Sequence, residues 1–190
     1  VVTLADSTYL LDEMKLDLKN KEYLGKQELI VLDMLQTNNW KRPIYYAITV
    51  SPDQFVKLDS YFQQTGMAYQ IVPMQTKGTI RSINTEKMYD NVMNKFKWGG
   101  VDTPGIYLDE NVMRMCKSYR MALFSKLAAA LISEGKNEKA LNILDKAMEV
   151  LPPANVPLDY SALSLAEMYY ELEQPEKAEM IYTSSADNSM

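Results

Sequence analysis

Two stretches near the end of this 190-residue chain repeat one another, and no other feature limits the fold as tightly. Phe124, Leu127, Ala128, Leu131, Ala140, Leu144, Ala147 and Pro152 alternate bulky and small side chains at the offsets of two antiparallel helices. Leu165, Ala166, Tyr169, Ala178 and Tyr182 replay that pattern 38 positions further on. A helix pair of this kind cannot bury its apolar stripe alone and stacks on neighbours. Such stacks present surfaces and hold other molecules.

The pattern predicts one long helix over 110–133, a turn at Gly135 and a return helix over 137–150. Leu151-Pro152-Pro153 breaks it, and 157–172 with 175–185 make the second hairpin. The spacing is that of tetratricopeptide-type repeats, whose concave side is a peptide groove. Two hairpins are fewer than the three that such arrays need. Their free faces are therefore expected to pack on the first half of the chain in one compact unit, with subdomains at 1–106 and 107–190.

The first half reads as mixed α/β. Residues 20–39 are too densely apolar for a narrow stripe and predict a well-buried helix. Ile44-Tyr45-Tyr46-Ala47-Ile48-Thr49-Val50 predicts a strand. Ser51-Pro52-Asp53-Gln54 has the form of a helix start with a capping box. Phe55, Leu58, Tyr61 and Phe62 would give that helix an apolar face, and Gly66 would end it. Residues 68–74 predict a second strand, making strand, helix, strand a βαβ candidate with parallel strands. Residues 79–83 suggest a third short strand and 85–96 an amphipathic helix closed by Trp98-Gly99-Gly100. The fold class expected is α+β, mostly α: a small α/β half with a βαβ-type sheet packed on tetratricopeptide-like hairpins.

Net charge is −5, and no Lys/Arg cluster forms the basic face that nucleic-acid binding requires. The single cysteine, Cys116, lies in an apolar stretch and reads as a buried small hydrophobe. The chain has no histidine, which removes His-based triads, most zinc sites and the usual neutral-pH proton shuttle. No run approaches the roughly 20 apolar residues that span a bilayer. The Val-Val-Thr start suggests a piece cut from something longer.

Few residues suggest chemistry. Asp102, Asp109 and Glu110 surround a Gly/Pro loop; a metal or sugar site competes there with plain helix N-capping, which favours acids at a helix start. Asp12, Glu13 and Asp17 read as a solvated face. Gly99-Gly100 lacks the Lys and Ser/Thr of a phosphate loop. Trp40 and Trp98 stand at element ends, and with Asn39 and Arg42 they could stack on and hydrogen-bond a sugar, although aromatics at such places also serve as core. The candidate ligand or partner surface is thus Asn39, Trp40, Arg42, Trp98 and Asp102. No catalytic, metal or cofactor residue is assigned, and no cofactor is expected.

Three runs carry a resemblance: Asn39-Trp40-Lys41-Arg42-Pro43-Ile44-Tyr45-Tyr46-Ala47; Met88-Tyr89-Asp90-Asn91-Val92-Met93-Asn94-Lys95-Phe96-Lys97-Trp98-Gly99; and Tyr107-Leu108-Asp109-Glu110-Asn111. Together they resemble the C-terminal region of the DUF2723 family of Bacteroidetes membrane proteins, over nearly the whole chain. The resemblance implies a large polytopic membrane protein grouped with GT-C-type glycosyltransferases that use lipid-linked sugar donors, with a protein O-mannosyltransferase as a eukaryotic relative. The catalytic acid of that family lies in the N-terminal part, between membrane helices, so no catalytic residue carries over. The C-terminal region would face the periplasm.

The function expected on these grounds is a non-catalytic periplasmic domain that positions an acceptor protein or other partner beside a membrane-embedded active site. Its partner would be a protein or peptide, with a glycan acceptor as a further option. The membrane would be reached through the preceding part of the parent protein. A stand-alone adaptor protein and a glycan-binding module are the rival readings.

Overall fold

The computed structural model of the chain describes residues 10–19, 22–79, 82–103 and 105–187. The chain is α+β and mostly helical, and it divides into two units, Val1–Asn84 and Thr85–Met190. The helix after Thr85 therefore groups with the C-terminal unit, and the division falls earlier than the 106/107 boundary read from the sequence.

The first unit holds helix α1 (Lys26–Asn38) and strands β1 (Tyr45–Ala47), β2 (Phe62–Gln64) and β3 (Ala68–Ile71). The expected parallel βαβ arrangement is not formed. The sheet is antiparallel, ordered β1-β3-β2, with Tyr46 opposite Tyr69 and Phe62 opposite Ile71. The expected helix between the strands is replaced by two 3-10 turns, Pro52–Gln54 and Leu58–Tyr61. The spacing of Phe55, Leu58 and Tyr61 fits an α-helical face as well as 3-10 turns, so it does not by itself choose between them. Val56 and Lys57, both left-handed (φ 52° and 61°), separate the two turns. Ser51 bonds the Asp53 carboxylate instead of capping backbone.

Gly66 (φ 141°) is a hairpin residue, not a helix stop: the Thr65 N–H donates to the Ala68 carbonyl at 3.1 Å and closes the β2–β3 turn. Of residues 79–83, Ile83 makes one isolated parallel bridge to Gln64, and residues 80 and 81 lie outside the described residues.

Period-2 alternation puts Tyr46, Phe62 and Tyr69 on one sheet face, where Phe55 joins them. Phe62 stacks on Tyr69 at 5.4 Å, and Phe55 meets Phe62 edge-on at 4.8 Å. Val31, Leu32 and Leu35 of α1 pack on this cluster. The opposite side of α1 is exposed, so the expectation of a well-buried helix fails: one face of the dense apolar run meets the core and the other does not. Buried Tyr61 ties down the preceding segment, accepting from the Lys15 N–H at 2.8 Å and donating to the Lys15 carbonyl at 2.9 Å.

The second unit is helical. Helix α2 (Thr85–Asp90) runs into a π-helical turn, Asn91–Lys95. The expected helix over 110–133 is a continuous rod of α3 (Glu110–Tyr119), a π-helical segment (Arg120–Ser125) and α4 (Lys126–Ser133). Helices α5 (Asn137–Val150), α6 (Leu163–Glu171) and α7 (Pro175–Asp187) complete two hairpins, α4–α5 and α6–α7. Leu127, Leu131, Ile143, Leu144, Leu165, Ala166 and Ile181 are wholly buried between them.

Helix α2 closes one end of this stack. The Thr85 hydroxyl lies 2.8 Å and 3.1 Å from the Glu134 carboxylate oxygens. Glu86 pairs with Lys136 and Lys139, each at 2.7 Å. Lys139 also sits 5.2 Å from the centre of the Tyr89 ring. The hairpins thus gain a third layer from within their own unit.

Candidate partner groove of the helical unit

Asp109 starts α3 by N-capping: its Oδ1 accepts from the Asn111 and Val112 N–H groups at 2.8 and 3.1 Å. That use of Asp109 is the capping alternative weighed from the sequence. From this fixed start, Glu110, Met113, Arg114, Lys117, Ser118 and Met121 fall on one stripe at spacings of three and four. Asp159 and Tyr160, at the entry to α6, form the facing wall of a groove of about 260 Å³. Its lining joins thioethers and an exposed phenol ring with charges of both signs. Arg114 donates to Asn111 Oδ1 at 2.8 Å.

The facing wall is held from beneath. Lys117 Nζ lies 2.7 Å from Asp159 Oδ2, and Asp159 Oδ1 accepts from the Ser161 N–H at 2.9 Å. Burial pushes the Asp159 carboxyl up, but Lys117 and Ser161 together hold it below the usual carboxylate range. Arg120, wholly buried, reaches across from the π-helical segment. Its Nη1 donates to the Pro157 carbonyl at 3.1 Å and to Ser161 Oγ at 3.2 Å. Its Nη2 donates to the Val156 carbonyl at 2.9 Å and the Leu151 carbonyl at 3.5 Å. Burial lowers the guanidinium pKa, opposed by Asp159 and Cys116, and the carbonyl cage replaces lost water. Arg120 Nε is buried without a partner among the described residues. Burial pushes the neighbouring Cys116 thiol up, against the pull of Arg120, so the cysteine is a packed, protonated side chain.

A second clamp holds the loop before α3. Asn155 Nδ2 donates to the Val101 and Thr103 carbonyls at 2.7 and 2.8 Å, and its Oδ1 accepts from the Gly105 N–H at 3.3 Å. Asp102 sits exposed on this loop. Trp98 is half-buried and stacks on Phe124 at 5.4 Å.

The other sequence candidates lie in the first unit. Asn39 is the left-handed C-cap of α1 (φ 43°), and Trp40 follows at φ 58°, half-buried against the core cluster. Arg42 is exposed, and the Asn38 amide bonds both its carbonyl (2.6 Å) and its N–H (3.1 Å). Asn39, Trp40 and Arg42 thus form one helix terminus, while Trp98 and Asp102 belong to a loop of the other unit. Both tryptophans contribute packing area, as the core alternative has it.

Arg120, Asn155, Asp159 and Tyr160 were not singled out from sequence. The one signal for Arg120 was its place inside the apolar stretch around Cys116.

Asp12, Glu13 and Asp17 are exposed, in keeping with a solvated face. Asp17 also lines a hollow of about 580 Å³ in the first unit with Asp53, Phe55, Val56, Lys57 and Asp59. Its acids are locally engaged: Asp53 accepts from Gln54 at 2.7 Å, and Asp59 pairs with Lys77 at 2.5 Å. Among the described residues, no His, Cys, Asp or Glu group is arranged to hold a metal ion.

Fold and groove together define a mostly helical α+β protein with a sided groove on paired helices. Residues 1–91, covering the first unit and α2, match the family model described as TMEM260-associated domain 2. No curated protein and no solved structure matches the chain significantly. Among the described residues no helix is long and apolar enough to cross a membrane.

Proposed function

We propose that this chain is a non-catalytic domain of a membrane glycosyltransferase-like protein of the DUF2723 type, facing the periplasm. Its tetratricopeptide-like hairpins hold an acceptor protein or peptide beside the membrane-embedded active site. The observation that carries this reading is the α3 groove, with apolar Met113, Met121 and Tyr160, charged Arg114 and Glu110, and a wall fixed by Arg120 and Asp159. A preorganised wall binds an extended partner with less ordering loss than a mobile loop. The similarity of residues 1–91 to a domain named for its association with TMEM260 supports a role as an accessory domain.

The test is glycosyl transfer from a lipid-linked donor to the acceptor protein, in membranes carrying the parent protein. A positioning groove predicts that Met121→Asp and Tyr160→Ala raise the acceptor KM about tenfold with kcat unchanged. Unchanged KM in both variants defeats the proposal. The stand-alone adaptor is favoured by the same groove and differs in needing no membrane part to retain its partner.

A further inference from the structure

Helix α1 presents an apolar face that its own unit leaves uncovered. Leu29, Ile30 and Met34 lie along it, 52, 59 and 44% exposed, and Tyr23, just before the helix, is 79% exposed. A helix facing only water would carry polar residues there. Cations stand at both ends of this face: Lys26 in the first turn, and Lys41 with Arg42 after the last. Asn38 ties Arg42 back to the helix end. All three cations are exposed, and none forms an ion pair among the described residues. Asp33 is the one acid on the outward face of α1, and Glu22, ahead of it, lines the hollow it shares with Gln27 and Asp53.

We infer that this face of α1 rests on an anionic lipid surface, with the helix in the membrane plane. Leu29, Ile30 and Met34 enter the boundary between headgroups and acyl chains, Tyr23 lies at headgroup level, and Lys26, Lys41 and Arg42 meet lipid phosphates. A second copy fits the charges poorly. Pairing α1 with α1 antiparallel sets Lys26 against Lys41 and Arg42, and parallel pairing sets Lys26 against Lys26. The surface belongs to a different unit from the groove and stands independently of the groove's role.

The experiment is co-sedimentation of the 190-residue chain with vesicles of phosphatidylcholine, with and without about one third phosphatidylglycerol. The chain is expected to bind the anionic vesicles and to be released by salt. Ile30→Asp weakens binding about tenfold or more, as does the double change Lys41→Glu with Arg42→Glu. Asp33→Asn strengthens it severalfold, and Met121→Asp in the groove leaves it unchanged. Thermal unfolding confirms that each variant is folded. Wild-type chain that stays off anionic vesicles, or binding indifferent to Ile30→Asp, overturns the inference. So does loss of binding in Met121→Asp. A dimer that Ile30→Asp dissolves, without vesicle binding, overturns it and gives the face to a second copy.

Discussion

Glu173 stands in the second hairpin where Gly135 stands in the first, and both backbones are left-handed, at φ 59° and 71°. The same two hydrogen bonds close each turn. Lys136 N–H reaches the Leu131 carbonyl at 2.9 Å, and Gln174 N–H reaches the Tyr169 carbonyl at 2.8 Å. Gly135 N–H bonds Ile132, and Glu173 N–H bonds Tyr170. The repeat seen in sequence therefore extends to individual backbone bonds, in the manner of a helix C-terminal cap.

A side chain in the left-handed region is strained, and glycine relieves it. Glu173→Gly is expected to stabilise the helical unit by about 0.5–1 kcal/mol, and Gly135→Ala to destabilise it by about 1 kcal/mol. Denaturant midpoints measured side by side check both. A loss of stability in Glu173→Gly would show that the Glu173 side chain contributes more than its backbone strain removes.

Arg120 joins the first long helix to the linker between the hairpins through four acceptors. Arg120→Met is expected to destabilise the protein by about 3–5 kcal/mol, because buried carbonyls lose their donors. Arg120→Lys should recover little of this, since one ammonium cannot span the positions that the guanidinium fork reaches. Equilibrium unfolding decides; a Lys variant as stable as wild type would mean that charge, not fork geometry, organises the linker.

The second half of the chain was legible because its signal is local and periodic. Leu127, Ala128 and Leu131 recur as Leu165, Ala166 and Tyr169, and all six are buried. The first half was less legible because its signal is ambiguous. Phe55, Leu58 and Tyr61 suit a helix face and a 3-10 pair equally well, and only the Val56-Lys57 reversal, a tertiary outcome, sends the chain into an antiparallel hairpin. The density of Leu29, Ile30 and Met34 announced a helix but not that one of its faces is bare. Tyr46 and Tyr69 fell in runs that read as strands, but Phe62 read as part of a helix face and lies in β2, and Trp40 and Trp98 are half-buried. The groove was hidden for a further reason: arginine in a helix reads as solvent-facing, and its place in the apolar stretch around Cys116 was the one hint that Arg120 is buried and fixes the wall opposite Met121.

Asn155 makes three bonds to the 101–105 loop, and no other side chain bonds it so extensively among the described residues. Asn155→Ala should cost about 1–3 kcal/mol and open that loop ahead of global unfolding. Amide hydrogen exchange at Gly105 is the direct readout, expected to accelerate while amides of α4 and α5 stay protected. Unchanged exchange at Gly105 would show that the turns around Val101 and Thr103 hold the loop alone.

Asp159 links the groove wall to pH. Burial alone would raise its pKa; the Lys117 ammonium and the Ser161 contacts bring it below the ordinary value instead. A carboxylate with a lower pKa folded than unfolded adds stability that is present above the ordinary carboxylate range and is lost as pH falls through the folded value. The helical unit should therefore weaken progressively below about pH 5. Asp159→Asn should lower stability at neutral pH by about 1–2 kcal/mol, since Lys117 loses its counterion and the 3-10 turn Tyr160–Ala162 leading into α6 loses a charged cap. The same variant should flatten the acid limb of the stability–pH curve. Glu86 shares the remaining slope: Lys136 and then Lys139 hold its carboxyl low, but these exposed pairs are screened, and their share should fade in salt whereas that of Asp159 persists. Unfolding curves from pH 7 to about 3, at low and high salt, separate the two. An acid limb identical in Asp159→Asn and wild type would mean that the Lys117–Asp159 pair organises the wall without contributing to its stability.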